Sequence, residues 1–122
     1  MREGKPKPIS TVMEEADDDR LERQDLGTWD GLYHLSVFAS PLGPGEGPEG
    51  AVSRLFGQHR TVKWFRVASL ECLEGADFEL AASPPEPYHY DVIIGTKLTS
   101  DVVETFERCF DEARRNPAWR PS

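Results

Sequence analysis

The chain has three histidines, and two of them stand two residues from a side chain that could put them to use. His89 and Asp91 fall at i and i+2 in Tyr88-His-Tyr-Asp-Val-Ile-Ile94. On a strand such positions share a face, so the carboxylate could orient the ring as a general acid or base requires. His34 and Ser36 share a face in the same way within Leu32-Tyr-His-Leu-Ser-Val-Phe-Ala39. The plainer alternative is a pair of histidines satisfied locally, with Asp91 accepting from a loop amide.

A second group is cationic. Residues 51–70 carry Arg54, Arg60, Lys63 and Arg66, together with His59, and no acid. Interleaved with Trp64, these bases have the make-up of a surface that contacts phosphates and bases; the plainer reading is a solvated face, with Trp64 in the core. Joined to His89, Asp91 and His34, they would make a small toxin-like enzyme acting on RNA or nucleotide phosphodiesters. The imidazoles would move protons while Arg54, His59, Arg60, Lys63 or Arg66 holds the phosphate. That reading requires His34 and His89 on one open face, within reach of the bases.

Other motifs carry less. The loop Ser40-Pro-Leu-Gly-Pro-Gly-Glu-Gly-Pro-Glu-Gly50 lacks the lysine and hydroxyl of a P-loop and bears two glutamates, which would repel a phosphate. Ser36 and Ser53 have no nucleophile-elbow context. Tyr33-His34-Leu35-Ser36 looks a little like the first motif of ADP-ribosyltransferases, which binds a nicotinamide cofactor. It departs from that motif at Leu35, and no second motif can be placed. The pattern Phe78-Glu-Leu with Tyr88–Ile94, and Ser36-Val-Phe38 upstream, resembles small uncharacterised proteins of high-GC actinobacterial genomes. That resemblance spans about residues 30–110 and implies no activity. Arg outnumbers Lys ten to four, in keeping with a high-GC coding sequence.

Composition sets the bounds. With 122 residues, 38% hydrophobic and 30% charged, the chain suits one domain with a modest core. The net charge of −8 argues against non-specific nucleic-acid binding by the whole surface. The longest aliphatic run, Val92-Ile93-Ile94, is far short of the roughly 20 residues that cross a bilayer, and the polar, Pro-rich start has no signal-peptide pattern. Cys72 and Cys109 stand alone in sequence and read as buried thiols. A cytoplasmic protein without metal or cofactor is therefore expected.

The elements that must position these residues follow from pattern. Residues 1–25 hold eight acids and five bases with no apolar periodicity, and read as a disordered acidic tail. Val12, Met13, Leu21 and Leu26 are the side chains that could anchor it if it became a frayed helix. The domain spans 26–118, with 119–122 a short C-terminal tail. Asp30-Gly31 predicts a turn, and the strand after it turns Tyr33, Leu35, Val37 and Ala39 to the core. A short helix at 51–56 should end at Gly57, and a strand at 61–67 leads to a helix capped by Ser69; a single helix over 61–74 is the competing reading. Two strands, from Phe78 and Tyr88, should form a hairpin around Ser83-Pro-Pro-Glu-Pro87. Val103, Phe106, Phe110 and Ala113 predict a long C-terminal amphipathic helix capped by Ser100, with Glu104–Arg108 and Asp111–Arg115 pairs. The resulting α+β fold would be one four-stranded mixed sheet in β-α-β-α-β-β-α order, covered by helices.

No constellation of catalytic groups is complete. The reading that follows is a small protein-interaction or regulatory domain, binding a protein partner through its acidic N-terminal segment. The phosphodiester enzyme is the alternative.

Overall fold

The computed structural model describes residues 1–56, 62–117 and 119. Its elements are β1 (Arg2–Glu3), α1 (Ile9–Asp25), β2 (Tyr33–Phe38), α2 (Pro48–Phe56), β3 (Trp64–Arg66), α3 (Leu70–Gly75), β4 (Glu79–Ala82), β5 (His89–Gly95), α4 (Ser100–Arg108) and β6 (Arg114–Arg115). The α+β class stands, but the single mixed sheet does not. There are two three-stranded antiparallel sheets, ordered β2-β5-β4 and β1-β3-β6. The expected fourth strand, β3, cannot join the larger sheet because β1 and β6 occupy both of its edges.

The larger sheet follows its sequence pattern. Leu35 and Val37 on β2 and Val92 and Ile94 on β5 are buried on one face. They pack with Val103 and Phe106 of α4, and with Leu73, Phe78 and Phe110. Each such side chain contributes about 1.5–3 kcal/mol through removal from water. Asp30 opens the turn before β2 by accepting from the Leu32 amide at 3.0 Å, and Gly31 supplies the positive φ of 86° that this turn needs. β4 and β5 form the expected hairpin, with Ala81 opposite Asp91. A smaller core of Val52, Val62 and Phe65 lies beside the second sheet.

Three expectations are corrected. The segment expected as a tail is largely helix, because α1 inserts Val12 and Ala16 into the main core, both fully buried. Ion pairs fasten it: Glu15 accepts from Arg2 and from Lys7, each at 2.6 Å. Leu21 and Leu26, expected among its anchors, are instead exposed. The long C-terminal helix ends early. Thr99 rather than Ser100 caps α4, its hydroxyl accepting from the Val102 amide at 3.2 Å. After Arg108 the backbone turns to pair with the other sheet. Asp111 N–H donates to the Val67 carbonyl and its carboxylate accepts from Val67 N–H, both at 2.9 Å. Asp111 then pairs with Arg114 instead of Arg115. Finally, Cys72 and Cys109 are joined in a disulfide, with Cα atoms 5.7 Å apart. The start of α3 and the end of α4 lie side by side, which sequence spacing does not reveal.

Where 61–74 was open between strand plus helix and one helix, the described part is β3 followed by α3. The Ser69 hydroxyl accepts from the Cys72 amide at 3.1 Å, and α3 ends at Gly75. The expected stop at Gly57 lies outside the described residues. No helix among the described residues is long and apolar enough to cross a membrane.

Candidate functional site

The antiparallel register of β2 and β5 sets Ser36 opposite Asp91 and His34 opposite Ile93. His34 and Asp91 are therefore diagonal neighbours on one face, and both are buried. His34 Nδ1 lies 3.4 Å from Asp91 Oδ2. Its Nε2 lies 3.1 and 3.2 Å from the two oxygens of Asp30, so the ring is hydrogen-bonded to Asp30 and only lies near Asp91, its buried Nδ1 making no hydrogen bond. Burial opposes ionisation of Asp30, but the Leu32 amide and His34 outweigh it and hold the carboxyl below its ordinary 3.8. Arg23 Nη2 donates to Asp91 at 2.8 Å, and Arg23 Nε donates to Asp19 at 2.9 Å. Asp19, Arg23 and Asp91 thus form a chain of opposite charges that joins α1 to the sheet, and the His34 ring lies between Asp91 and Asp30.

His89 has different surroundings. Its Nδ1 is 3.1 Å from the Ser83 carbonyl, which can only accept, so this nitrogen carries the proton. Its ring packs against Phe38 at 5.3 Å. Asp91, expected to orient His89, instead pairs with Arg23 and lies near His34. The two histidines share a sheet face without sharing partners.

The expected bases are dispersed. Arg66 is only 2% exposed, donates to Glu107 at 2.5 Å, and sits over the Phe110 ring; it is a core cation, closed to a phosphate. Arg54 clamps the Gly/Pro-rich loop, bonding to the Ser40 hydroxyl, the Pro41 carbonyl at 3.1 Å and Glu46 at 2.5 Å. Lys63 lies over the Trp119 ring at 4.7 Å. Trp64, expected in the core, is half-buried with Lys5 over its ring at 4.5 Å. His59 and Arg60 lie outside the described residues. Among the described residues no cluster of His, Cys, Asp or Glu could hold a metal ion.

A charged surface does form on α1. Glu14, Asp18, Glu22 and Asp25 are exposed at spacings of four, four and three, which places them on one helix face. They make no ion pair among the described residues, whereas Asp17 and Asp19 are taken by Arg20 and Arg23. Leu21 and Leu26, 45% and 70% exposed, lie along the same helix and just beyond its end. The acid-to-acid spacing was present in the sequence. That spacing has geometric meaning only on a helix, and the lack of apolar periodicity over residues 1–25 predicts a tail instead.

No family model matches this chain, and no curated protein or solved structure matches it.

Proposed function

We propose that this chain is a protein-binding module whose contact surface is the exposed face of α1, and that its partner presents a basic surface. One observation carries this reading: Glu14, Asp18, Glu22 and Asp25 extend along one helix face without ion-pair partners among the described residues, beside two exposed leucines. The stripe is about 16 Å long at 1.5 Å per residue. Four carboxylates held on a packed helix present a fixed array of charge, which steers a cationic partner and sets register. Leu21 and Leu26 supply the apolar contact that charge alone does not.

The test is capture of partners from the native host by the full chain and by a variant with Glu14→Gln, Asp18→Asn, Glu22→Gln and Asp25→Asn. A single stoichiometric basic protein, held less tightly in higher salt and lost with the variant, supports the reading. RNA or nucleotide recovered equally by both overturns it. Deleting residues 1–25 is not a substitute, because that removes Val12 and Ala16 from the core.

The cytoplasmic placement belongs to this proposal, runs against the Cys72–Cys109 disulfide, a bond that persists in oxidising compartments, and has its own check. In a reducing cytosol Cys72 and Cys109 would be recovered as thiols. Recovery as a disulfide from freshly alkylated cells places the protein in an oxidising compartment instead.

A further inference from the structure

Between the buried face of the larger sheet and the side formed by α2 and α3 lies a cavity of about 740 Å³. Pockets of that size hold drug-sized molecules. Val37, Leu73 and Phe110 line it from the main core, and Leu55 lines it from α2. A shallower cavity of about 360 Å³ near Arg66 is lined largely by charged side chains, each of them already in an ion pair, with one another or with Glu15 and Arg114. The larger one is different in kind.

Three features of the larger cavity point to a ligand and to its chemistry. Leu42 and Leu70 both line it and are both about half exposed, at 52% and 53%. Apolar surface is thus left to water where an occupant would cover it. Glu74, which is exposed, is the one charged side chain among the described lining residues and would repel an anion. The Met1 amino group, on the same lining, donates to the Phe38 carbonyl at 2.5 Å, and burial pushes it down to about 5, so it is largely uncharged near pH 7. The wall formed by Ser40 and Pro41 is held in place by the Arg54 clamp, so less order need be gained on binding.

We propose that this cavity binds a small lipophilic molecule whose polar end is neutral or cationic. The aliphatic and aromatic walls take the apolar body, and Glu74 sets the sign of charge that the polar end can bear. This site is separate from the acidic face of α1, so either can fail without the other.

Fluorescence titration of the full chain with Nile red, a neutral lipophilic dye, tests it. One dye should bind per chain with saturation. Dodecanol and dodecyltrimethylammonium, below their micellar concentrations, should displace it, with dodecanoate about tenfold weaker from the repulsion of Glu74. Glu74→Gln should erase that discrimination without altering the response to dodecanol. Ala68→Trp, which places an indole in the cavity, should abolish dye binding. If that variant does not fold, Leu70→Glu at the exposed rim should instead widen the preference for the cationic chain. Failure of the dye to saturate, equal displacement by all three chains, or unchanged binding in a folded Ala68→Trp variant overturns the proposal.

Discussion

The guanidinium of Arg23, in the last turn of α1, donates to Asp91 on β5 across 2.8 Å. Asp91 is almost fully buried, and a buried carboxylate needs such partners to stay in the fold. The same carboxylate approaches His34. The group singled out in the sequence as an orienter for catalysis therefore does structural work, fastening a helix to a sheet.

Removing Arg23 should be costly for that reason. Arg23→Ala leaves Asp91 buried with less compensation and should destabilise the fold by about 2 kcal/mol, below the full loss for a wholly buried pair because Arg23 is partly exposed. Urea denaturation measures it. Adding Asp91→Asn to Arg23→Ala should recover part of the loss; strict additivity would mean the two residues are not coupled.

Whether α1 belongs to the core can be decided by two substitutions on its opposite sides. Val12→Ala should cost about 2 kcal/mol through lost burial and a small cavity, whereas Leu21→Ala should lie within about 0.5 kcal/mol of zero. Equal and negligible effects in thermal unfolding would return the segment to a tail.

Acid should weaken the fold at identifiable carboxylates. Burial works against ionisation of Glu15, but hydrogen bonds and charges from Lys7 and Arg2 outweigh it and keep its carboxyl below the ordinary 4.5. A carboxyl depressed in the folded state contributes stability that is present above its unfolded value and lost as pH falls through the folded one. Asp30 behaves alike below its ordinary 3.8. Urea midpoints should therefore fall progressively as pH drops below 4.5. Glu15→Gln should be less stable at pH 7 and show a shallower acid dependence; an unchanged slope would remove Glu15 from the account.

The Cys72–Cys109 disulfide closes a loop with a sequence separation of 37. On the chain-entropy model such a closure stabilises by about 4 kcal/mol. Cys72 is exposed, so a soluble thiol can reach it. Dithiothreitol should lower the denaturation midpoint of the native chain and leave a Cys72→Ser/Cys109→Ser variant unmoved. A midpoint insensitive to reductant would show that the bond adds nothing to stability.

What the sequence allowed and withheld divides along physical lines. β2 and the β4–β5 hairpin were legible because alternation and proline-rich turns are local signals, as was the Ser69 cap. α1 was not, because only Val12 and Ala16 are fully buried along a helix otherwise rich in charge, and the ion pairs that fasten it reach outside the helix, to Arg2, Lys7 and Asp91. α4 was read too long because Phe110 and Ala113 continue its spacing, while the Asp111–Val67 contacts that end it span more than forty positions. β1 and β6 have two residues each, too few to carry any period. Among the candidate site residues, His34 and Asp91 could be recognised singly, but their meeting depends on the β2–β5 register.

The smaller sheet has a consequence for synthesis on the ribosome. β3 has one neighbour made long before it and one made long after: Arg66 pairs with Arg2, and Phe65 pairs with Arg114. The β4–β5 hairpin needs only a short closure, which forms sooner than distant pairings. Nascent chains should thus gain the hairpin early and leave one edge of β3 unprotected until residues near Arg114 emerge. During that interval the growing chain is open to wrong pairing with its neighbours, and pulsed hydrogen exchange should find the Phe65 amide among the last to become protected.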